Sequence, residues 1–136
     1  MKKTILMTLL LACGLTMMAQ KAEQKPALKP AQIQFEKTVH NFGTFSEKNP
    51  VQSVVFTFTN VGEQPLIVNQ ATAACGCTVP EFTSTPVQPG EQGQIKVTYN
   101  GEGLFPGHFK KSVTVRTNGV VEMTRIYVEG DMTETK

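Results

Sequence analysis

The sequence predicts an all-β fold, a small sandwich of six or seven strands behind an export signal and a short linker. Three observations carry this reading. From Gln32 onward, apolar residues recur at every second position and not every 3.6. The runs are rich in β-branched and aromatic residues, as half-buried strands require. Turn chemistry breaks them at short intervals, with 11 Gly and 8 Pro spread along 136 residues. The length suits one domain, and a hydrophobic content of 40% is too high for a disordered chain.

The first element is an address label. Lys2 and Lys3 form a basic n-region, and Thr4 to Met18 is an almost continuous apolar run. Ala19 precedes the polar Gln20, so residues 1–19 are expected to be a signal peptide cleaved after Ala19. The run is shorter than the roughly 20 residues that cross a bilayer, so no membrane span is expected in the mature form. A rival reading takes Leu10-Leu11-Ala12-Cys13 as a lipobox with Cys13 lipidated, which would make a membrane-anchored lipoprotein. Gly14 to Met18 prolong the apolar run beyond Cys13, which favours the soluble form, periplasmic or secreted.

Residues 20–31 read QKAEQKPALKPA, a polar linker with an extended bias from Pro26 and Pro30. The sandwich is expected over residues 32–132, with residues 133–136 as a tail. Its first run alternates Ile33, Phe35 and Val39 with polar residues. Val54, Phe56 and Phe58 mark the second run; Leu66 and Val68 share a face of the third. Ile95, Val97 and Tyr99 follow, then Phe109, Val113 and Val115, then Ile126 and Val128. The expected core is Phe35, Val54, Phe56, Phe58, Leu66, Ile95, Val97, Tyr99, Val113, Val115, Ile126 and Val128. Asn118-Gly119, between two β-rich runs, predicts a hairpin.

Charge excludes one function class. Lys2 and Lys3 belong to the signal, and from Ala31 onward eight basic residues face ten acidic ones. The electrostatic footprint of a nucleic-acid binder is missing.

Several blocks together resemble the bacterial DUF1573 family. They are Phe35-Glu36-Lys37-Thr38-Val39-His40-Asn41-Phe42-Gly43, Phe56 to Gly62 with Pro65-Leu66, and Cys75-Gly76-Cys77-Thr78 with Pro80. Pro89-Gly90-Glu91, Val97 to Asn100, Gly107 to Lys111 and Gly130 follow in the same order. Asn41 stands where the family usually has Asp. The resemblance implies an immunoglobulin-like sandwich, related in shape to PapD-type domains and common in exported proteins of Bacteroidetes. It implies no established biochemical role.

No nucleophile-elbow, zinc-protease or phosphate-loop pattern occurs, and the single Asp, Asp131, gives little basis for a catalytic triad. The chain is therefore expected not to be an enzyme and to need no cofactor. Cys75-Gly76-Cys77 is the one motif with chemical content. In an extended strand its Cα atoms would lie about 6.6 Å apart, whereas a disulfide prefers about 5.5–6 Å. A bend at Gly76 permits a local disulfide. The same two thiolates could instead hold Cu, or half of a Zn site completed by His40 and His108. The expected function is an exported binding or structural module of the cell envelope that engages another envelope protein, which adds a strand to an open sheet edge. The alternative is a metal- or thiol-redox-handling protein using Cys75 and Cys77.

Overall fold

The computed structural model describes residues 27–135. The expected signal peptide, Cys13 and the start of the expected linker lie outside the described residues. Eight strands form, with no helix among the described residues: β1 (Ile33–Phe35), β2 (Val39–Ser46), β3 (Val51–Asn60), β4 (Val68–Ala73), β5 (Thr78–Phe82), β6 (Gln92–Asn100), β7 (Gly107–Thr117) and β8 (Met123–Thr133). One sheet has the order β1-β3-β6-β5 and the other β2-β8-β7-β4. Every pairing is antiparallel except β2 with β8.

The alternation read from the sequence places the core. Ten of the twelve expected inward residues are buried, and Phe35 and Val54 are half-buried and pack against them. Phe56 and Phe58 are wholly buried, each contributing about 2–3 kcal/mol of apolar burial. Val68, Val87, Phe109 and Met132 complete the interior. Ala31 is 2% exposed and its carbonyl accepts from Val120 N–H, so the folded unit begins just before Gln32.

Two strands depart from the sequence reading. The run from Ile33 to Val39 is not one strand. Glu36, Lys37 and Thr38 carry the chain from one sheet to the other, and Val39 starts β2 with 40% of its surface exposed. Period-two alternation does not reveal which sheet a residue enters. The second departure is β5, which contains Pro80 and has no counterpart among the alternating runs of the sequence. Backbone bonds from Asn100 N–H to Cys77 C=O and from Thr83 N–H to Gln94 C=O set the phase of this strand. Odd positions bond β6 and even positions face outward, so the N–H that Pro80 lacks lies on the free side, where an edge strand tolerates it.

The β7–β8 hairpin forms around Asn118-Gly119 with a five-residue loop, 118–122. Asn118 Oδ1 accepts from Ile67 N–H and its Nδ2 donates to Pro65 C=O. Gly119 fits because a Cβ there would sit 2.6 Å from the Ala31 carbonyl oxygen. In β2 a bulge falls between Asn41 and Thr44, with Gly43 at φ +72°. Asn41 Oδ1 accepts from Gly43 N–H at 2.7 Å. This is an acceptor's role, so Asn serves here as Asp would.

Candidate functional site

The chain passes between the sheets on both flanks; Cys75 and Cys77 lie on one of these seams, and His40 lies on the edge strand beside the other. On one flank Ala74–Cys77 joins β4 to β5. A disulfide links Cys75 to Cys77, whose Cα atoms are 5.4 Å apart. Thr78 N–H donates to Cys75 C=O, and the buried Thr78 hydroxyl lies 3.9 and 3.7 Å from the two sulfurs. Cys77 C=O accepts from Asn100 N–H at 2.7 Å, tying the loop to β6. Both cysteines are half-buried.

His40 lies on β2, at the far edge of the sheet from β4. Its Nδ1 accepts from the Lys37 ammonium at 2.8 Å, and its ring meets Phe42 edge-on at 4.9 Å. Burial, then the Lys37 charge, hold its pKa below the usual 6.5. His108 stands on β7 opposite Asp131 of β8, with Nδ1 3.0 Å from Oδ1 in an exposed pair. Among the described residues no group of three or more His, Cys, Asp or Glu side chains could hold a metal. The structure brings Cys75 and Cys77 together and gathers neither histidine with them into such a group.

The other flank was not legible as a site. β1 covers only Phe58–Asn60 of β3, and Glu36 N–H adds one bond to Thr57 C=O. Val51 to Phe56 therefore have β6 on one side and, among the described residues, no strand on the other. The phase is fixed by bonded neighbours. Asn60 exchanges bonds with Glu91 and Gly90 on the β6 side, whereas Thr57 C=O and Val61 N–H face β1. The N–H and C=O groups of Val51, Ser53 and Val55 thus point into a vacant lane. A hint lay in the sequence: Val51 to Thr57 carries no charge, Pro or Gly, the features that usually guard an edge.

A second feature is Phe105, 97% exposed beside Leu104 in the β6–β7 loop. Gly101 N–H bonds Pro50 C=O, so this loop shares an end of the sandwich with the start of β3. The signal was an apolar pair in a Gly- and Pro-rich break, used by no strand. Two grooves lie on the outer faces, one along Val55, Glu81 and Phe82, the other along Thr72, Arg116 and Arg125. Neither pairs a nucleophile with a base.

Two four-stranded sheets packed face to face, with the opening segment divided between them, define an immunoglobulin-like sandwich of the PapD-like kind. Solved structures of that shape match the chain. A protein of unknown function from Porphyromonas gingivalis matches at TM-score 0.65 and 16% identity, over 76% of this chain and 47% of that one. The chain thus spans about half of that protein's length. The ASH / PapD-like domain 7 of human CEP192 matches at TM-score 0.62 and 9% identity, over 79% of this chain and 89% of that domain. The CupB2 chaperone of Pseudomonas aeruginosa matches at TM-score 0.52 and 12% identity, over 76% and 56%. At these identities the likeness is one of fold. No curated protein matches the chain in sequence. The chain belongs to the family described as protein of unknown function DUF1573, whose model matches residues 33–132.

Proposed function

We propose that this protein is an exported, non-enzymatic protein-binding module of the bacterial cell envelope, which takes its partner by strand addition. The observation that carries this reading is the free edge of β3 at Val51, Ser53 and Val55, uncharged and unguarded. The other edges are blunted. Pro80 removes a donor from β5, the Gly43 bulge breaks β2, and a register shift between Val68 and Gln70 interrupts β4. An extended segment bonding along β3 would satisfy backbone groups that otherwise face water. The PapD-like shape, shared with a bacterial chaperone, supports this role by analogy of fold. The apolar leader at residues 4–18 supports export.

The test is Ser53→Pro. The Ser53 N–H points into the vacant lane, so proline there blocks an incoming strand and leaves the β3–β6 ladder whole, as Pro80 does in β5. Crosslinking capture from envelope extracts should fall to background for this variant, with an unchanged far-UV circular dichroism spectrum. Capture equal to that of the unmodified protein would sink the proposal.

A further inference from the structure

The lane beside β3 has a floor. Three residues, Glu36 to Thr38, separate β1 from β2, and sheets in a sandwich lie about 10 Å apart. So short a link makes β2 begin directly beneath the end of β1. Four residues, Glu47 to Pro50, then join the end of β2 to the start of β3. β2 therefore runs under the vacant lane along its whole length. Its inward side chains, His40 and Phe42 and, past the bulge, Phe45, are only half-buried although they face the interior. On β3 the inward series behaves likewise: Phe58 and Phe56 are fully buried, but Val54 and Gln52 are half-buried. Along the uncovered stretch burial persists at Phe56 and falls only beyond it, at Val54 and Gln52.

We infer that the vacant lane between β3 and β2 takes a single extended segment of a partner protein, about six residues long, with apolar side chains at alternate positions. The inference rests on the strand-addition reading above. Residues of the segment opposite Val51, Ser53 and Val55 exchange backbone hydrogen bonds and point outward. Those opposite Gln52, Val54 and Phe56 point inward, onto Phe42 and the edge of the core. An alternating segment fits because only alternate residues meet that surface.

Two other occupants fail on the same geometry. A second copy of the chain would bring the sheet behind its own edge strand, and that layer would collide with β2. Only a lone strand with nothing beneath it fits. The chain's own linker, QKAEQKPALKPA, has no apolar alternation and two prolines, and its described end packs at the opposite end of β3, where Lys29 N–H bonds Glu63.

The experiment titrates the protein with acetyl-Gly-Val-Thr-Val-Thr-Val-Lys-amide and with the analogue that has Ser for each Val. Amide exchange is followed by NMR. The Val51, Ser53 and Val55 amides should exchange freely in the protein alone, and the Val peptide should slow them. The Ser peptide should bind about tenfold more weakly or worse, since it buries little apolar surface. Ser53→Pro should abolish the effect. Should that variant misfold, Phe42→Ser removes the floor and should weaken the Val peptide several-fold, with no change for the Ser peptide. The inference is overturned if those amides are already protected, if the two peptides bind alike, or if Ser53→Pro leaves binding intact. A concentration-dependent dimer that Ser53→Pro dissolves would overturn it in favour of a second copy. Capture from envelope extracts that needs Ser53, with no preference between the peptides, would sink this inference alone and leave strand addition standing.

Discussion

On the β4–β5 flank the chain crosses between sheets through a loop closed by Cys75–Cys77, over the buried Thr78 hydroxyl. On the β1–β2 flank it crosses through Glu36, Lys37 and Thr38, all exposed, with no covalent tie. The first flank delivers five residues of β5 in register to the nine-residue β6, with Thr83 and Cys77 extending the bonding to Gln94 and Asn100. The second delivers three residues of β1 to a ten-residue strand and leaves the rest of its lane empty. One seam spends its residues on closing the sandwich, and the other leaves an edge unpaired. An unpaired edge is a liability in a structural protein and a handle in a binding one.

Comparing phenylalanines sharpens this contrast most. Phe109 is 8% exposed, stacked on Tyr99 at 3.8 Å and edge-on to Phe45 at 5.9 Å. Phe42, on the open floor, is half-buried. Phe109→Ala should cost about 3–5 kcal/mol in chemical denaturation, within the range for emptied aromatic sites. Phe42→Ala should cost only about 1 kcal/mol, since part of its surface already meets water. Equal losses would mean that the lane is not open.

Asn60 governs where the lane begins. Its Oδ1 accepts from Gln32 and Gly62 N–H, and its Nδ2 donates to Gln64 and Val87 C=O, all around a fully buried side chain. Those bonds hold the segment before β1 against the end of β3. Asn60→Ala should cost about 3 kcal/mol by stranding buried backbone groups. It should also speed amide exchange in β1 before it affects β5. Uniform loosening of both flanks would break the comparison.

The closed and open flanks differed in how far they could be read from sequence. The Val54-Phe56-Phe58 and Ile95-Val97-Tyr99 series placed the core, because alternation reports which residues face inward. Cys75-Gly76-Cys77 drew the eye to one seam because thiols are chemically conspicuous. The vacant lane left no comparable mark. It depends on β1 stopping at Phe35 and on β2 joining the other sheet, and those are long-range pairings invisible to a two-residue period. Asn60 and Phe105 carry no sequence mark for related reasons. One is a polar residue whose side-chain partners lie up to 28 positions away; the other sits in a break assigned to turns.

The disulfide tests whether the closed seam owes its closure to covalency. Its loop spans three residues, so it removes little freedom from the unfolded chain: about 1.5 kcal/mol, against about 3 for a 15-residue loop. Cys75→Ser with Cys77→Ser should therefore lower stability by about 1–1.5 kcal/mol and leave the β5–β6 register intact by amide exchange. The backbone bonds at Thr78 and Asn100 do the rest. Loss of β5 on mutation or reduction would show that the bond, not the ladder, closes this flank.

The smallest expected effect lies at His40, on the floor of the open flank, and its sign follows from its surroundings. Burial disfavours the charged imidazole, and the Lys37 ammonium 2.8 Å from Nδ1 disfavours it further. The folded pKa is therefore below 6.5, the value the unfolded chain retains. Between these two values the unfolded chain binds more protons, so stability rises with pH there. The neutral ring's contribution is present above 6.5 and is lost as pH falls from there to the lowered pKa. Titrating the His40 ring protons by NMR from about pH 8 to about pH 5 should give the depressed midpoint. Lys37→Gln should move it part of the way back, because burial is the larger cause. His40→Gln should flatten the corresponding part of the stability profile. A strand in the vacant lane would strip more water from the ring and lower its midpoint again, so acid should weaken binding of the Val peptide. A His40 midpoint at or above 6.5, or one unmoved by a saturating peptide, would mean that this floor is not the surface the lane exposes.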